Sequence, residues 1–293
     1  MTAWKAPLLL LGLALIAGPA RAQSVDGAAA LIGGRFTYEV KPGDTLGSIA
    51  ARYGVAPDTL IEVNQLQRSA PLPAGRSLVI DNTHIAVANP LTSITINVAQ
   101  RFLVLTEGER VRAYPIAVGR RDWPTPVGAF TVLTKETDPA WDVPVSIQRE
   151  MASQGKPVIV RMEPSAENPL GRHWIGLSLP GLGIHGTNAP ASIYTFASHG
   201  CIRMHPDDVS DLFQRVTIGA SGVLVYQPVI LALIDGRVML EAHPDSYRRS
   251  PNAAKDVRSV IERAGLAAHV DWTLIDNVLR QRRGQAVDVM LAR

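Results

Sequence analysis

The sequence predicts a β-rich protein of several domains: a small βααβ module, a mostly antiparallel β-sandwich or barrel, and a small α/β subdomain at the C-terminal end. Three observations support this prediction. Strand and helix periodicities alternate in a short early segment, repeated short strands with glycine and proline punctuation follow, and two amphipathic helical patterns close the chain. The 293 residues suffice for roughly two domains of about 150 residues each.

The first 22 residues have the three parts of a cleaved secretory signal. Lys5 gives a basic start, an apolar stretch covers 7–18, and Ala20, Arg21 and Ala22 form an A-x-A cleavage site. The apolar stretch is shorter than the roughly 20 residues that a membrane span needs. We therefore expect cleavage and export. Loss of the two basic residues lowers the formal net charge from +3 to +1, and no basic stripe or zinc-finger spacing indicates nucleic-acid binding.

Cys201 is the only cysteine of the chain, so no internal disulfide can form. Exported proteins meet an oxidising compartment in which paired cysteines usually become disulfides. A single thiol in such a protein is a buried spectator, an intermolecular partner or a reactive group. The residues around Cys201 are therefore needed to distinguish between these three roles.

Residues 36–81 carry the pattern of the βααβ module. Apolar and polar residues alternate over 36–40, as in a half-buried strand. Apolar residues at helical spacing follow the predicted N-cap Asp44, and Gly54 stands where that helix should end. A second short helix and a last strand at 77–80 complete the unit, which is near the lower size limit for independent folding.

The same segment contains VKPGDTLGSIA, followed later by a Val-Asn pair and an L-x-x-G sequence. These residues resemble the LysM module, and the resemblance covers 36–81. It implies binding to glycan strands that contain N-acetylglucosamine, such as those of peptidoglycan. A small helical spacer is the alternative interpretation.

From about residue 91 the sequence becomes that of a β domain. Short alternating and apolar segments predict strands, and Glu-Gly-Glu at 107–109 predicts a hairpin turn. Residues 134–173 interrupt this pattern with proline-rich, polar sequence. An insertion of this kind is either a lid or substrate-binding loop, or a surface excursion without a role.

One group of residues around the single thiol predicts chemistry. The group consists of His185, Gly186, Ser198, His199, Gly200, Cys201 and Arg203. A helical pattern framed by Pro206 and Gly219 follows directly. The positive end of that helix and a nearby imidazole would lower the thiol pKa from its free value of about 8.5. An imidazole within hydrogen-bond distance can also accept the thiol proton during attack.

This group, together with Thr-Pro-x-Gly at 125–128, resembles the YkuD-type catalytic domain of L,D-transpeptidases. The resemblance covers 91–226. It implies a periplasmic enzyme that transfers an acyl group from the diamino acid–D-alanine bond of a tetrapeptide stem to an amine. The amine belongs to a lysine of an outer-membrane lipoprotein or to a second stem, and water is a third possible acceptor. No residue that binds the acceptor is identifiable in the sequence. No metal or organic cofactor is implied.

The resemblance also implies a role for each site residue. Cys201 is the nucleophile, His185 is the base, and the Gly186 carbonyl orients the imidazole. Backbone N–H groups around Gly200 and Cys201 form the oxyanion hole. Arg203 is expected to hold a substrate carboxylate, since its planar fork suits one. The supporting residues are Ser198 and His199, and the other candidate substrate-binding residues are Tyr194 and Phe196.

Other functions and other chemistry remain possible from the sequence alone. The chain could be a non-catalytic peptidoglycan-binding protein, or a cysteine peptidase or amidase that acts on the same stems. The thiol could also be a buried small side chain. A zinc site is a further alternative. Its ligands would be Cys201, His199, His185 and His173.

Residues 227–293 form the predicted C-terminal subdomain. A β stretch leads to helical patterns near 252–265 and 271–282. The segment resembles the tail of three-part enzymes of diderm bacteria that carry LysM, catalytic and tail segments in that order. Neither its role nor the oligomeric state can be predicted. The remaining histidines, expected to be solvated or structural, are His84, His243 and His269.

Overall fold

The computed structural model describes residues 14–16, 29–68 and 71–292. The predicted signal segment 1–22 therefore lies outside the described residues, apart from strand β1 (Ala14–Ile16), which pairs antiparallel with Val229–Ile234. Among the described residues, no helix is both long and apolar enough to cross a bilayer.

The N-terminal module has the predicted order of strands and helices. Its elements are β2 (Ala29–Ile32), β3 (Arg35–Glu39), α1 (Leu46–Tyr53), α2 (Pro57–Val63) and β4 (Ser77–Asp81), followed by β5 (His84–Val87). Strands β3 and β4 pair antiparallel, and both helices pack against them. The small core contains Val40, Ile49, Ala50, Val55, Leu60, Leu78 and Ile80.

The N-cap of α1 is Thr45, so the prediction of Asp44 is wrong by one residue. The Ser48 N–H donates to Thr45 Oγ1 at 3.0 Å, and the Thr45 N–H donates to Ser48 Oγ at 2.9 Å, which is a capping box. Asp44 instead closes the preceding turn, where it accepts a hydrogen bond from the Tyr38 hydroxyl at 2.6 Å. Gly54 ends the helix as predicted, in the left-handed conformation with φ of 67°.

The central domain is a closed barrel, which resolves the choice between sandwich and barrel. Its strands are β6 (Ile94–Asn97), β7 (Phe102–Glu107), β8 (Arg110–Gly119), β9 (Gly128–Thr137), β12 (His173–Leu177), β13 (Gly183–His185), β15 (Ile202–Met204) and β16 (Ser221–Val225). The ring runs β8-β15-β13-β12-β9-β16-β6-β7 and closes from β7 to β8. Strand β14 (Phe196–Ser198) pairs with β8 outside the ring. Most pairs are antiparallel, as predicted, but β13–β15 and β6–β16 within the ring and β14–β8 outside it are parallel.

Two further segments complete the barrel domain. Helix α4 (Pro206–Arg215) follows β15 and buries Val209 and Leu212 against the barrel. Its start at Pro206 agrees with the prediction, but it ends four residues before Gly219. The insertion between β9 and β12 contains β10 (Trp141–Asp142), α3 (Val145–Ser153) and β11 (Arg161–Met162). No residue of α3 is buried.

The C-terminal subdomain has its own sheet and helices. It consists of β17 (Val229–Ile234), β18 (Arg237–Ala242), α5 (Ala253–Arg263), α6 (Trp272–Gln281) and β19 (Ala286–Asp288). The two helices match the predicted segments and bury one face each on the sheet. This subdomain therefore has a hydrophobic core separate from that of the barrel.

The segment between the LysM module and the barrel forms a buried strand that no sequence pattern predicts. Strand β5 pairs with β2 and packs against the sheet of the C-terminal subdomain. His84 on β5 lies between the Gly54 carbonyl of the LysM module and Glu241 on β18, at 2.9 Å from each. Gln100 of the barrel and His243 also bond to Glu241. All three modules thus meet at one buried carboxylate.

Candidate active site

A cavity of about 860 Å³ lies between the barrel and the insertion. Its barrel side contains His185, Ser198, His199, Cys201 and Arg203. Its other side is formed by the insertion, including Trp141, Ile147, Glu150, Met151 and Leu170. The insertion is therefore a wall of the cavity that contains the thiol, so it is more than a surface excursion.

Parallel pairing of two barrel strands brings the thiol and the imidazole to the same cavity. In the register of β13 with β15, Ile184 lies beside Ile202 and His185 beside Arg203. Cys201 immediately precedes β15, and His185 is the last residue of β13. Residues sixteen positions apart in sequence thus become neighbours across one ladder.

The His185 imidazole is buried and held in one orientation. Its Nδ1–H donates to the Gly186 carbonyl at 2.7 Å, which leaves Nε2 without a hydrogen. The ring stacks on Trp174, with centroids 5.8 Å apart. Burial, and secondarily the positive charge of Arg203, lower the pKa of His185 to about 4. At neutral pH the ring is an uncharged base.

Cys201 lies in surroundings that differ from the expected ones. Burial raises the pKa of its thiol above the ordinary value, although the Gly183 backbone and Arg203 oppose this effect. Strand β15 separates Cys201 from the start of α4, so the thiol does not sit at the positive helix end. The prediction of a lowered thiol pKa is therefore wrong.

Within the described residues, no hydrogen bond joins the thiol to the His185 ring. The Cys201 thiol instead donates to the Gly181 carbonyl, with a sulfur-to-oxygen distance of 3.6 Å. A neutral thiol beside a neutral imidazole needs the imidazole to accept the proton as attack occurs. Such contacts are often loose until substrate binds.

Ser198 and Gly200 shape the turn that presents the thiol. The buried Ser198 hydroxyl donates to the Cys201 carbonyl at 2.5 Å and accepts from the Gly200 N–H at 3.1 Å. Gly200 has φ of 112°, a conformation that favours glycine. Because its N–H is already engaged, only the Cys201 N–H remains from the predicted oxyanion pair.

Thr125 and Tyr247 support this turn from distant parts of the chain. The Thr125 hydroxyl donates to the Gly200 carbonyl at 2.7 Å and accepts from the Gly119 N–H at 2.8 Å. The Tyr247 hydroxyl, from the C-terminal subdomain, accepts from the Thr125 N–H at 3.1 Å and donates to the Gly119 carbonyl at 2.6 Å. Sequence reasoning placed Thr125 in a family motif but gave Tyr247 no role, because 122 residues separate the two.

Of the three predicted substrate-binding residues, only Arg203 lines the cavity that contains the thiol. Arg203 lines the cavity, and its buried Nε has no hydrogen-bond partner among the described residues. Tyr194 is buried beneath Arg101, whose guanidinium lies 4.3 Å from the ring centroid. Phe196 packs on the barrel core and on Tyr247. Neither residue lines the cavity that contains the thiol, since Tyr194 is buried and the half-buried Phe196 lies outside it, so a role for them in substrate binding stays a prediction.

His199 faces the same cavity from the other side of Cys201. Its Nε2 lies 2.5 Å from Glu150 Oε2, and Arg120 donates to the other oxygen of Glu150. The edge of the Trp123 ring packs on the imidazole at 5.0 Å between centroids. Glu150 belongs to α3, so this contact ties the insertion to the Ser-His-Gly-Cys turn. No local sequence pattern indicates this contact, since Glu150 lies 49 residues from His199.

The zinc alternative is not supported by the arrangement of the histidines. In the part of the chain that the structure describes, the single group of three potential metal ligands is His84, Glu241 and His243. His173 lies outside the cavity and stacks on Phe213. Hydrogen bonds of 2.9 and 2.6 Å already join the three grouped residues. Ligands around one zinc at about 2.0 Å would be further apart than this. His84 and His243 are therefore structural and buried rather than solvated.

The barrel thus brings a thiol, an imidazole and a guanidinium to one cavity. The family described as YkuD, L,D-transpeptidase catalytic domain, matches residues 92–231, and the LysM domain matches 38–81. The chain belongs to the L,D-transpeptidase family.

Individual relatives agree with this assignment. YkuD of Bacillus subtilis, named as an L,D-transpeptidase, is 35% identical over 185 residues, which cover 63% of this chain and 95% of that protein. ErfK/SrfK of Salmonella typhimurium, also named as an L,D-transpeptidase, is 29% identical over 275 residues, which cover 90% of this chain and 89% of that one. The solved catalytic domain of an E. faecium L,D-transpeptidase is 23% identical, with coverage of 46% and 96% and a TM-score of 0.34. A score this low adds nothing to the assignment.

Proposed function

We propose that this protein is a periplasmic L,D-transpeptidase that uses Cys201 as nucleophile and His185 as base. One observation carries the proposal: the only thiol of the chain and an uncharged, oriented imidazole open into the same cavity from adjacent strands. The guanidinium of Arg203, whose buried Nε has no hydrogen-bond partner among the described residues, suits a carboxylate of the peptide stem. The LysM module would hold the enzyme on the glycan strands that carry those stems.

The first half of the reaction forms a thioester. The Cys201 sulfur attacks the carbonyl carbon between the diamino acid and the terminal D-alanine, and its proton passes to His185 Nε2. The Cys201 N–H stabilises the negative oxygen of the tetrahedral intermediate. The carbon–nitrogen bond then breaks, and the departing D-alanine takes the proton from His185. The acyl group remains on sulfur.

The second half transfers the acyl group to an amine. The three-part layout favours the lysine of an envelope lipoprotein as acceptor, and a second stem would give a 3→3 cross-link. Water as acceptor would make the protein a carboxypeptidase. No residue of the cavity wall identifies the acceptor, so the acceptor has to be identified from the reaction product.

The test is mass spectrometry of the protein and its products after incubation with a disaccharide-tetrapeptide. Parallel samples contain an envelope lipoprotein, a second stem or no acceptor. We expect D-alanine release, an adduct on the protein, and a joined product that names the acceptor. Correctly folded protein that gives neither adduct nor D-alanine would refute the proposal and leave a glycan-binding role.

The pH profile of acylation should reflect the buried base. Because His185 has a pKa of about 4, its neutral form is retained at pH 5 and lost as the pH falls through about 4. We expect kcat/KM for D-alanine release to stay nearly constant from pH 5 to 8 and to fall below that range. The measurement is a rate profile, with circular dichroism at each pH to verify folding. An acid limb near pH 6.5, the ordinary value for histidine, would contradict the assignment.

Tyr247→Phe should lower the rate without affecting glycan binding. The change removes the hydroxyl that links Gly119 to Thr125, and Thr125 in turn holds the Gly200 carbonyl. Two hydrogen bonds of about 1 kcal/mol each are lost from this support, which predicts a fall in kcat of up to about thirtyfold. Tyr38→Phe is the matched control, because it removes a bonded tyrosine hydroxyl in the LysM module. Equal kcat values for both variants would argue against a link between Tyr247 and the site.

A further inference from the structure

The pair formed by His199 and Glu150 has no task in the steps above. Both side chains are partly exposed to the cavity, at 23% and 22%. His199 and, after it, Arg120 hold the pKa of Glu150 below its ordinary value, so its carboxylate is charged. The carboxylate therefore receives the Nε2–H of His199. Nδ1 has no hydrogen-bond partner among the described residues and is not sealed from solvent.

The second half of the reaction releases two protons from the acceptor nitrogen, and His185 transfers only one of them. An amine acceptor such as lysine is an ammonium ion at neutral pH, with a pKa of about 10.4. Thioester and ammonium give amide, thiol and one free proton: the carbon–nitrogen bond forms, the carbon–sulfur bond breaks, and two protons leave nitrogen. One of them returns to the Cys201 sulfur through His185. The other must leave the site.

We propose that His199 Nδ1 accepts this second proton from the acceptor ammonium and passes it to solvent, with Glu150 as the positioning residue that orients its ring. This inference rests on the proposed acyl transfer. It assigns one imidazole to each side of the thioester: the buried His185 to the thiol, and the cavity-exposed His199 to the incoming amine. The charged groups that face His199 are Glu150 from α3 and, behind it, Arg120 from the end of β8.

The arrangement also gives the insertion a function in acceptor chemistry. Helix α3 buries no residue of its own. One oxygen of Glu150 on this helix contacts His199 of the Ser-His-Gly-Cys turn, and the other accepts a hydrogen bond from Arg120, which follows β8. Glu150 therefore orients His199 as the proton acceptor for the amine only while α3 covers the cavity.

The experiment isolates the second half of the reaction. Full-length protein is acylated with a disaccharide-tetrapeptide, the Cys201 adduct is verified by mass, and an amine is added. The two amines are Nα-acetyl-lysine, an ammonium at pH 7.5, and hydroxylamine, which is uncharged there. In Glu150→Gln and His199→Asn we expect lysine transfer to slow by about tenfold or more, and hydroxylamine transfer to change by less than about threefold.

Controls separate proton transfer from a structural effect of the helix. Glu136→Gln removes another carboxylate of the same cavity, and it should leave the ratio of the two rates as in the unmodified protein. Glu150→Asp should restore part of the lysine rate. Equal slowing with both amines would overturn the proposal, since a displaced helix would impair both. Failure to form any adduct in the unmodified protein would instead refute the proposed function itself.

The unmodified protein gives an independent test that needs no variant. Without a protein base, only the free amine form of lysine attacks the thioester. Its rate would then rise about tenfold for each unit by which the pH increases, until the pH reaches the amine pKa. Removal of the proton by His199 predicts a lysine transfer rate that changes less than about threefold between pH 7.5 and 9. A tenfold rise per unit would contradict the inference.

Discussion

Replacing Cys201 with alanine is expected to abolish adduct formation and D-alanine release, with a loss of on the order of 10⁴-fold or more in kcat. The reason is chemical, because no other thiol is present and the neighbouring Ser198 hydroxyl is already bonded to two backbone groups. The measurement compares intact masses and free D-alanine for both proteins after incubation with the disaccharide-tetrapeptide.

The same substitution should leave folding and glycan binding intact. The Cys201 thiol makes one long hydrogen bond, and the LysM core is separate from that of the barrel. Thermal unfolding and peptidoglycan pull-down should therefore match the unmodified protein. D-alanine release that persists in Cys201→Ala would assign the chemistry to another group.

Glu241→Ala is expected to cause the largest loss of stability. Glu241 is 0% exposed and accepts hydrogen bonds from His84, His243, Gln100 and the Ile85 N–H. The His84 ring lies between this carboxylate and the Gly54 carbonyl. Removing one partner of a buried, hydrogen-bonded network of this kind costs about 3–5 kcal/mol.

The surface ion pair between Arg283 and Glu62 is a matched control. It also joins the C-terminal subdomain to the LysM module, but its side chains are 39% and 55% exposed. We expect Glu62→Gln to cost less than about 1 kcal/mol. Urea unfolding and limited proteolysis within 82–90 measure both effects, and equal losses would show that the buried carboxylate is not the main link.

The pH dependence of this junction has a definite sign. Burial would raise the pKa of Glu241, but His84 and His243 outweigh burial and lower it to about 2. A carboxyl group with a lowered folded-state pKa stabilises fully above its unfolded value, and this contribution is lost as the pH falls through the folded value. The contribution of Glu241 to stability should therefore be complete above its unfolded pKa of about 4.5 and decline as the pH falls toward 2.

The sequence by itself determined which elements form and which chemistry is available. Periods of 2 and 3.6 gave the LysM module, the barrel strands and the closing helices, because these patterns record which face of each element is buried. The grouping of His185 with Cys201 followed from a local motif, and their catalytic roles remain predictions.

Only the tertiary structure decided how these parts meet. The buried strand β5 and the pairs His84–Glu241, Thr125–Tyr247 and His199–Glu150 join residues that are 49 to 157 positions apart. Nothing in a local pattern specifies such partners. Burial also set the two pKa values at the site, since desolvation by surrounding groups lowered that of His185 and raised that of Cys201. The periodicity of apolar residues predicts that a side chain is buried. Which side chains surround it in the core depends on how the whole chain packs.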